Sequence, residues 1–323
     1  MAEMIYGQVP GIEKPISRIV QGIIQIPMDE DKGFGLLDAA LAAGINTVDT
    51  AHVYGPRDAF LGKWIASRNN REKVVVLAKG AHHNDVRKRV TPYDIGADLH
   101  DTLARMKTEY IDLYVLHRDD TGYPVAPIVD ALNQFTREGK IKAFGGSNWT
   151  TARLEEANAY AKKSGQIPFA VSSPNFSLAD QKKEPWAGCV SISGPGKESE
   201  RKWYAENKMP LFTWSSMAGG FMSGRFNREN GDGFTEYLDK LAVECYAAED
   251  NFERLDRAKI IADKHGLTLP QIALAYVLSY PLDIYSLVGS STPEEIAANV
   301  VALNTKLTES EMAYLDLRAS SLV

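Results

Sequence analysis

The chain alternates between two kinds of pattern over most of its length. Short apolar runs that read as strands fall near 18–22, 46–49, 74–79, 111–116, 141–147, 168–172, 210–214 and 284–289. Segments with helical periodicity fill most of the intervals, over 31–43, 57–68, 92–107, 126–138, 151–163, 197–207, 252–265 and 293–302. Strands separated by helices pair in parallel, because a parallel pair needs a crossover long enough to carry the chain back. Eight alternations of this kind predict an α/β protein built as a closed (β/α)8 TIM barrel. The competing architecture is a doubly wound sheet. Its first strand should open into a Gly-x-Gly-x-x-Gly turn, and no such turn occurs.

Start and stop signals support the pattern. Gly44, Gly139 and Gly266 each follow a helical segment as a C-cap would, and Pro92 and Pro293 occupy first turns behind the N-caps Thr91 and Thr292. Residues 5–11, leading into 18–22, read as a short N-terminal hairpin, and 308–320 as an extra C-terminal helix. The stretch 222–250 is rich in Gly, Asn, Asp and Glu and reads as a long loop after the seventh strand. No linker or repeat beyond the strand–helix unit divides residues 1–323, so one domain is expected.

A net charge of −6 and a pI near 5.6 argue against a nucleic-acid or anionic-membrane surface. Cys189 and Cys245 lack metal-ligand spacing, and two cysteines in 323 residues point to a reducing compartment. No apolar stretch is long enough to span a membrane, and the N-terminus lacks signal-peptide order, so a cytoplasmic location is expected.

A buried parallel strand should read as a continuous apolar run, so a charge at its end requires a reason. Asp49, Lys79 and His117 end three successive runs, and Tyr54 follows five residues after the first. Alone, Asp49 and Lys79 read as a rim ion pair, His117 as a structural hydrogen-bonder and Tyr54 as packing. Together they leave different strands towards one face. A tyrosine with a nearby ammonium can serve as a general acid, since the charge lowers the phenol pKa. Asp49 could hold Lys79, and His117 could orient a carbonyl. Such a set protonates oxygen while hydride reaches carbon, and because no side chain donates hydride a cofactor is required.

Gly44-Ile-Asn-Thr-Val-Asp49-Thr-Ala-His-Val-Tyr54-Gly55 resembles the most diagnostic segment of the aldo-keto reductases. The resemblance continues through Lys79, Ile111–His117, Gly139-Lys140-Ile141, Phe144–Asn148 and Leu287–Asn299, nearly the whole chain. It implies a TIM barrel, a nicotinamide cofactor and a catalytic tetrad on Asp49, Tyr54, Lys79 and His117. It also implies cofactor contacts. Ser147 and Asn148 match the pair that bonds the carboxamide, and Trp214 stands where a tyrosine usually stacks on the nicotinamide. Ser215, Met217 and Gly219 fall in the pyrophosphate segment, Gly289, Ser290, Ser291 and Asn299 at the adenosine end, and Gly22 and Ile23 where the cofactor first meets the barrel.

Three positions depart from the family pattern. Ser173 replaces a glutamine that usually completes the carboxamide site and is too short to reach as far. Gly289 and Glu295 replace a lysine and an arginine that bind the 2′-phosphate of NADPH. Of the NAD(P)(H) pair the chain is therefore expected to lean towards NAD(H), because a carboxylate accepts from ribose hydroxyls and repels phosphate. Trp186, Arg118, Asp119 and Asp120 in the rim loops suit a sugar or other polyhydroxylated carbonyl or alcohol substrate. A contrasting expectation is a cofactor-binding regulatory subunit with little turnover, like potassium-channel β subunits.

Overall fold

The computed structural model describes residues 2–322. A small antiparallel hairpin, β1 (Tyr6–Gly7) with β2 (Ile16–Ser17), precedes the barrel. The barrel strands are β3 (Ile19–Gly22), β4 (Thr47–Ala51), β5 (Val75–Gly80), β6 (Ile111–Leu116), β7 (Ile141–Ser147), β8 (Val171–Ser173), β9 (Leu211–Thr213) and β10 (Ile284–Val288). They pair in parallel in chain order, and β10 closes the ring by pairing with both β9 and β3.

The period of two along each strand sorts residues into two layers. Val20, Val75, Leu77, Leu113, Val115, Ala143, Val171, Phe212, Tyr285 and Leu287 fill the barrel interior, while Val48, Val76, Ala78, Tyr114, Leu116 and Phe144 face the helices. Val9, Ile12 and Ile16 of the hairpin segment join the interior cluster. They plug the end where the strands begin. Lys14 fastens this plug, donating to the Val74 carbonyl at 2.9 Å and to Asp112 at 2.9 Å.

The helices between strands are α1 (Glu30–Ala42), α2 (Arg57–Arg68), α3 (Pro92–Met106), α4 (Val125–Arg137), α5 (Thr151–Lys163) and α6 (Glu198–Asn207). The caps fall as the sequence predicts: Thr91 accepts from the Asp94 amide ahead of α3, and Gly44, just past α1, adopts φ +87°.

Between β9 and β10 the structure differs from the sequence expectation. The segment 222–250 is not one long loop, because it contains α7 (Tyr237–Tyr246) and ends in the first turn of α8 (Glu249–His265). Ala242, Cys245 and Tyr246 of α7 are buried, and Tyr246 lies against Phe221 with ring centroids 6.3 Å apart. A further helix, α9 (Leu269–Ser279), lies where no helix is predicted. It is buried almost all round, so it lacks the polar face that reveals a helix by period. After β10 come α10 (Pro293–Asn304) and the expected C-terminal helix, α11 (Glu309–Leu315).

Glu311 docks α11 onto α8, accepting from Lys264 at 2.8 Å, His265 at 2.8 Å and the Thr308 amide at 2.8 Å. Burial alone would push its carboxyl up, but Lys264, the Thr308 amide and His265 outweigh burial and hold it at about 2. A depressed folded pKa stabilises fully above the unfolded carboxylate value, and that stabilisation is lost as pH falls towards about 2. Glu311→Gln should therefore cost about 2 kcal/mol near neutral pH. In denaturant titrations the gap from the parent protein should close progressively in acid. An equal gap at both extremes would show that the loss is not ionic.

Candidate active site

The inward parity of the strands assembles the site. Continuing the interior positions of each strand by one step reaches Gly22 on β3, Asp49 on β4, Lys79 on β5, His117 after β6, Ser147 on β7, Ser173 on β8, Trp214 after β9 and Gly289 after β10. These positions form a ring at the end where the strands finish, the face on which TIM barrels build their sites. Tyr54 closes a 3-10 turn, His52–Tyr54, that folds back over this rim.

Lys79 and Asp49 form a buried ion pair, 3% and 5% exposed, so the carboxylate fixes the ammonium. The Lys79 ammonium stands 5.8 Å from the centre of the Tyr54 ring. The Tyr54 and His117 rings meet edge to face at 6.1 Å. The four residues named from the sequence are therefore brought together.

The electrostatics differ from the expectation in one respect. Burial raises the Tyr54 pKa; Lys79 pulls it down, Asp49 pushes it up again, and the balance is upward. Lys79 is fixed as an ammonium, since Asp49 and Tyr54 outweigh the burial that disfavours its charge. Asp49 itself is raised by burial against the pull of Lys79. Seen from Tyr54 the pair is a dipole, and its ammonium end offsets only part of the burial. Burial, then Lys79, His82 and Arg118, hold His117 well below its ordinary value, which makes it a neutral imidazole at physiological pH. Its Nδ1 is enclosed without a hydrogen-bond partner.

The residues expected around a cofactor line the other side of the ring. Ser147 donates to the Ser173 carbonyl at 2.8 Å, while the Ser173 hydroxyl and the Trp214 indole N–H are enclosed without partners. Asn148, at φ +60°, donates to the His117 carbonyl at 3.2 Å and accepts from the Val190 amide at 3.0 Å. Both ends of its amide thus tie the rim loops together. Beyond Trp214 the backbone takes left-handed conformations at Ser215, Ala218, Gly219 and Gly220, with Met217 lying between Ser215 and Ala218 at φ −95°, and bends into a cradle. Ile23 is fully buried and donates its amide to the Asp49 carbonyl at 3.0 Å.

At the adenosine end, Asn299 donates to the buried Ser290 hydroxyl at 3.0 Å. The Glu295 carboxylate accepts from the Ser291 amide at 2.7 Å and from its hydroxyl at 3.0 Å. These partnerless polar atoms, the flat face of Trp214 and the cradle suit a long ligand with a planar amide-bearing head and an anionic middle.

The acidic rim residues expected to face a substrate are already engaged within the protein. Asp119 is not free, because Arg153 engages it at 3.1 Å, and Asp120 is held by Lys88 at 3.0 Å. Trp186 is 43% exposed and donates to the Tyr237 hydroxyl at 3.0 Å. Two rim residues escaped the sequence reading: His82, whose ring lies 4.8 Å from that of His117, and His83, whose Nε2 is enclosed without a partner. They come two and three residues after β5, and His83 keeps the inward parity of Lys79, so the rule that singled out Lys79 could have found His83.

A sequence model of the aldo/keto reductase family matches residues 19–318. A putative aryl-alcohol dehydrogenase of Saccharomyces cerevisiae is 27% identical over 319 residues, covering 90% of this chain and 77% of that protein. The NADP(+) aryl-alcohol dehydrogenase of Phanerodontia chrysosporium is 24% identical over 312 residues, covering 90% and 76%. Among solved structures, a glycerol dehydrogenase of Gluconobacter oxydans superposes with a TM-score of 0.79 at 22% identity, covering 98% of this chain and 94% of that one, a likeness of fold. Barrel, rim ring and family match agree: the chain belongs to the aldo/keto reductases, oxidoreductases that transfer hydride between a nicotinamide cofactor and a carbonyl or alcohol.

Proposed function

We propose that Tyr54 is the proton donor of this enzyme, that Lys79 held by Asp49 tunes it, and that neutral His117 orients the substrate oxygen. The convergence of these side chains from three strands and a turn, with His117 kept uncharged, carries the reading. A neutral imidazole donates a hydrogen bond without competing as a proton source. Bound nicotinamide supplies the hydride. Tyr54 gives its proton to the carbonyl oxygen as carbon is reduced, and in the alcohol direction the phenolate takes it back. Ser147, Ser173 and Trp214 would hold the nicotinamide, the segment from Ser215 through Met217 to Gly219 the pyrophosphate, and Gly289, Ser290, Ser291, Glu295 and Asn299 the adenosine end, with Gly22 and Ile23 beneath.

Hydroxylated carbonyl compounds, sugars included, fit the polar rim made by His82, His83 and Arg118 better than plain aliphatic aldehydes do. The two aryl-alcohol dehydrogenases among the relatives make aromatic alcohols the obvious comparison class. Initial rates on sugars, polyols, aromatic and aliphatic aldehydes and their alcohols, with both nicotinamides, test this. Absence of turnover on all of them would leave the cofactor-binding subunit as the better reading.

For the cofactor the proposal leans to NAD(H). Glu295 already places a carboxylate against the first turn of α10, and Arg225 and Arg228 are paired with Asp239 and with Glu249 and Asp256. Charged hydrogen bonds are worth about 1.5–3 kcal/mol each, so losing them from a 2′-phosphate should leave NADH at least about tenfold tighter than NADPH. Glu295→Arg should narrow or reverse that ratio. Fluorescence titration with both cofactors checks it, and equal or tighter NADPH binding refutes the lean.

A further inference from the structure

Arg118 is a buried cation that no carboxylate among the described residues neutralises. Among the described residues the buried cationic side chains are Lys79, Arg118, Arg153 and Arg254. Lys79 pairs with Asp49, Arg153 with Asp119 and Arg254 with Asp250, whereas Arg118 has no carboxylate within ion-pair distance. At 6% exposure its guanidinium makes one side-chain hydrogen bond, from Nη1 to the Cys189 sulfur at 2.9 Å. A thiol is a weak acceptor and, with burial raising the Cys189 pKa, it remains uncharged near neutral pH. None of the Arg118 nitrogens is among the sealed polar atoms that lack partners, so the donors left over by Cys189 open onto accessible space.

Arg118 stands at the edge of the site. Arg118 immediately follows His117 on the rim, and its carbonyl accepts from the Trp149 indole at 3.4 Å. Its charge helps to depress the pKa values of His117, His82 and His83 and reaches Tyr54. The two neighbouring histidines are themselves held below their ordinary values, first by burial. The other cations that act on this stretch of rim, Lys79, Lys88 and Arg89, are each paired with a carboxylate, so the guanidinium is the permanent positive charge there without a carboxylate partner. A desolvated guanidinium with free donors, one residue past His117 on the rim, is suited to receive an anion.

We propose that Arg118 binds a carboxylate on the substrate, so that the enzyme's preferred substrates are carbonyl or hydroxy acids rather than neutral carbonyls and alcohols. This rests on the oxidoreductase reading of the same site and adds the substrate class to it. A single planar fork matches a carboxylate, with two parallel N–H to oxygen bonds. The same fork also suits a phosphate monoester, so methyl phosphate is the control that separates the two anions.

The test uses binding as well as turnover. Calorimetric titration of the full-length protein with matched acid and amide pairs, glycolate against glycolamide and gluconate against gluconamide, should show each acid at least about tenfold tighter, the equivalent of one charged hydrogen bond. Arg118→Met should bring the ratio close to one, and Arg118→Lys should retain part of it as a point charge. Should Arg118→Met fail to fold, the acid-to-amide ratio of the parent protein still decides. Equal binding of acid and amide, a preference that survives Arg118→Met, or methyl phosphate binding tighter than either acid overturns the proposal. The same pairs in turnover assays separate the two levels. Arg118-dependent acid binding without any turnover sinks the oxidoreductase reading and leaves the anion site. Turnover of neutral compounds with no advantage for acids does the reverse.

Discussion

Tyr54→Phe is expected to lower kcat by at least about 100-fold while leaving cofactor affinity nearly intact. The substitution keeps the ring, so the edge-to-face contact with His117 and the packing under Lys79 survive. What is lost is the hydroxyl. General acid catalysis commonly contributes about 10²–10⁴-fold, and the remaining rim groups are poor substitutes. His117 is held uncharged, and Lys79 is locked as an ammonium by Asp49. Because the phenol is raised by burial, the proton to be donated is present throughout the neutral range. In the reduction direction kcat should therefore show no titration near the ordinary histidine value. A sharp loss of rate around that pH would mean that a protonated imidazole is the acid, and near-normal turnover in Tyr54→Phe would mean that Tyr54 is not.

The site was legible in the sequence because barrel strands obey strict alternation. Once 75, 77 and 113, 115 are interior, 79 and 117 must be interior too, and a lysine or histidine there cannot be incidental. The same rule carries to Ser147, Ser173 and Trp214. Capped amphipathic helices such as α3, with Thr91 and Pro92 at its start, were equally plain. Helix α9 was missed because an element buried on nearly every side has no polar stripe, although Thr268 and Gln271 form a capping box that announces its first turn. The pairing of Asp119 with Arg153, and of Arg118 with Cys189 alone, lay beyond reach. Those partners sit on separate loops and helices, and no local period relates them. Whether a charged side chain is spent on the protein or left for a ligand is a property of the packed rim.

Lys79→Met should destabilise the protein and abolish most activity, and the two losses can be separated. Methionine fills much of the lysine's volume, but it strands Asp49 in a site where the carboxylate is 5% exposed. Removing one partner of a buried pair costs about 3–5 kcal/mol, because the other charge is left uncompensated. Asp49 can escape part of that cost by taking up a proton. Burial already raises its pKa in the parent protein despite the pull of Lys79, and without Lys79 it must rise further. A raised folded pKa gives stability that is present below the unfolded carboxylate value and lost as pH climbs through the folded one. The variant should thus be closest to the parent in mild acid and fall behind as the solution becomes alkaline. Denaturant titrations across that range would show it, and a gap independent of pH would mean that Asp49 is not the stranded charge. Adding Asp49→Asn should recover much of the stability, since a neutral amide needs no counter-ion. It should not recover turnover, because the ammonium that faces Tyr54 is still missing. A stable but inactive double variant would place Lys79 in the chemistry, whereas recovery of both properties would reduce the pair to a structural ion pair at the barrel rim.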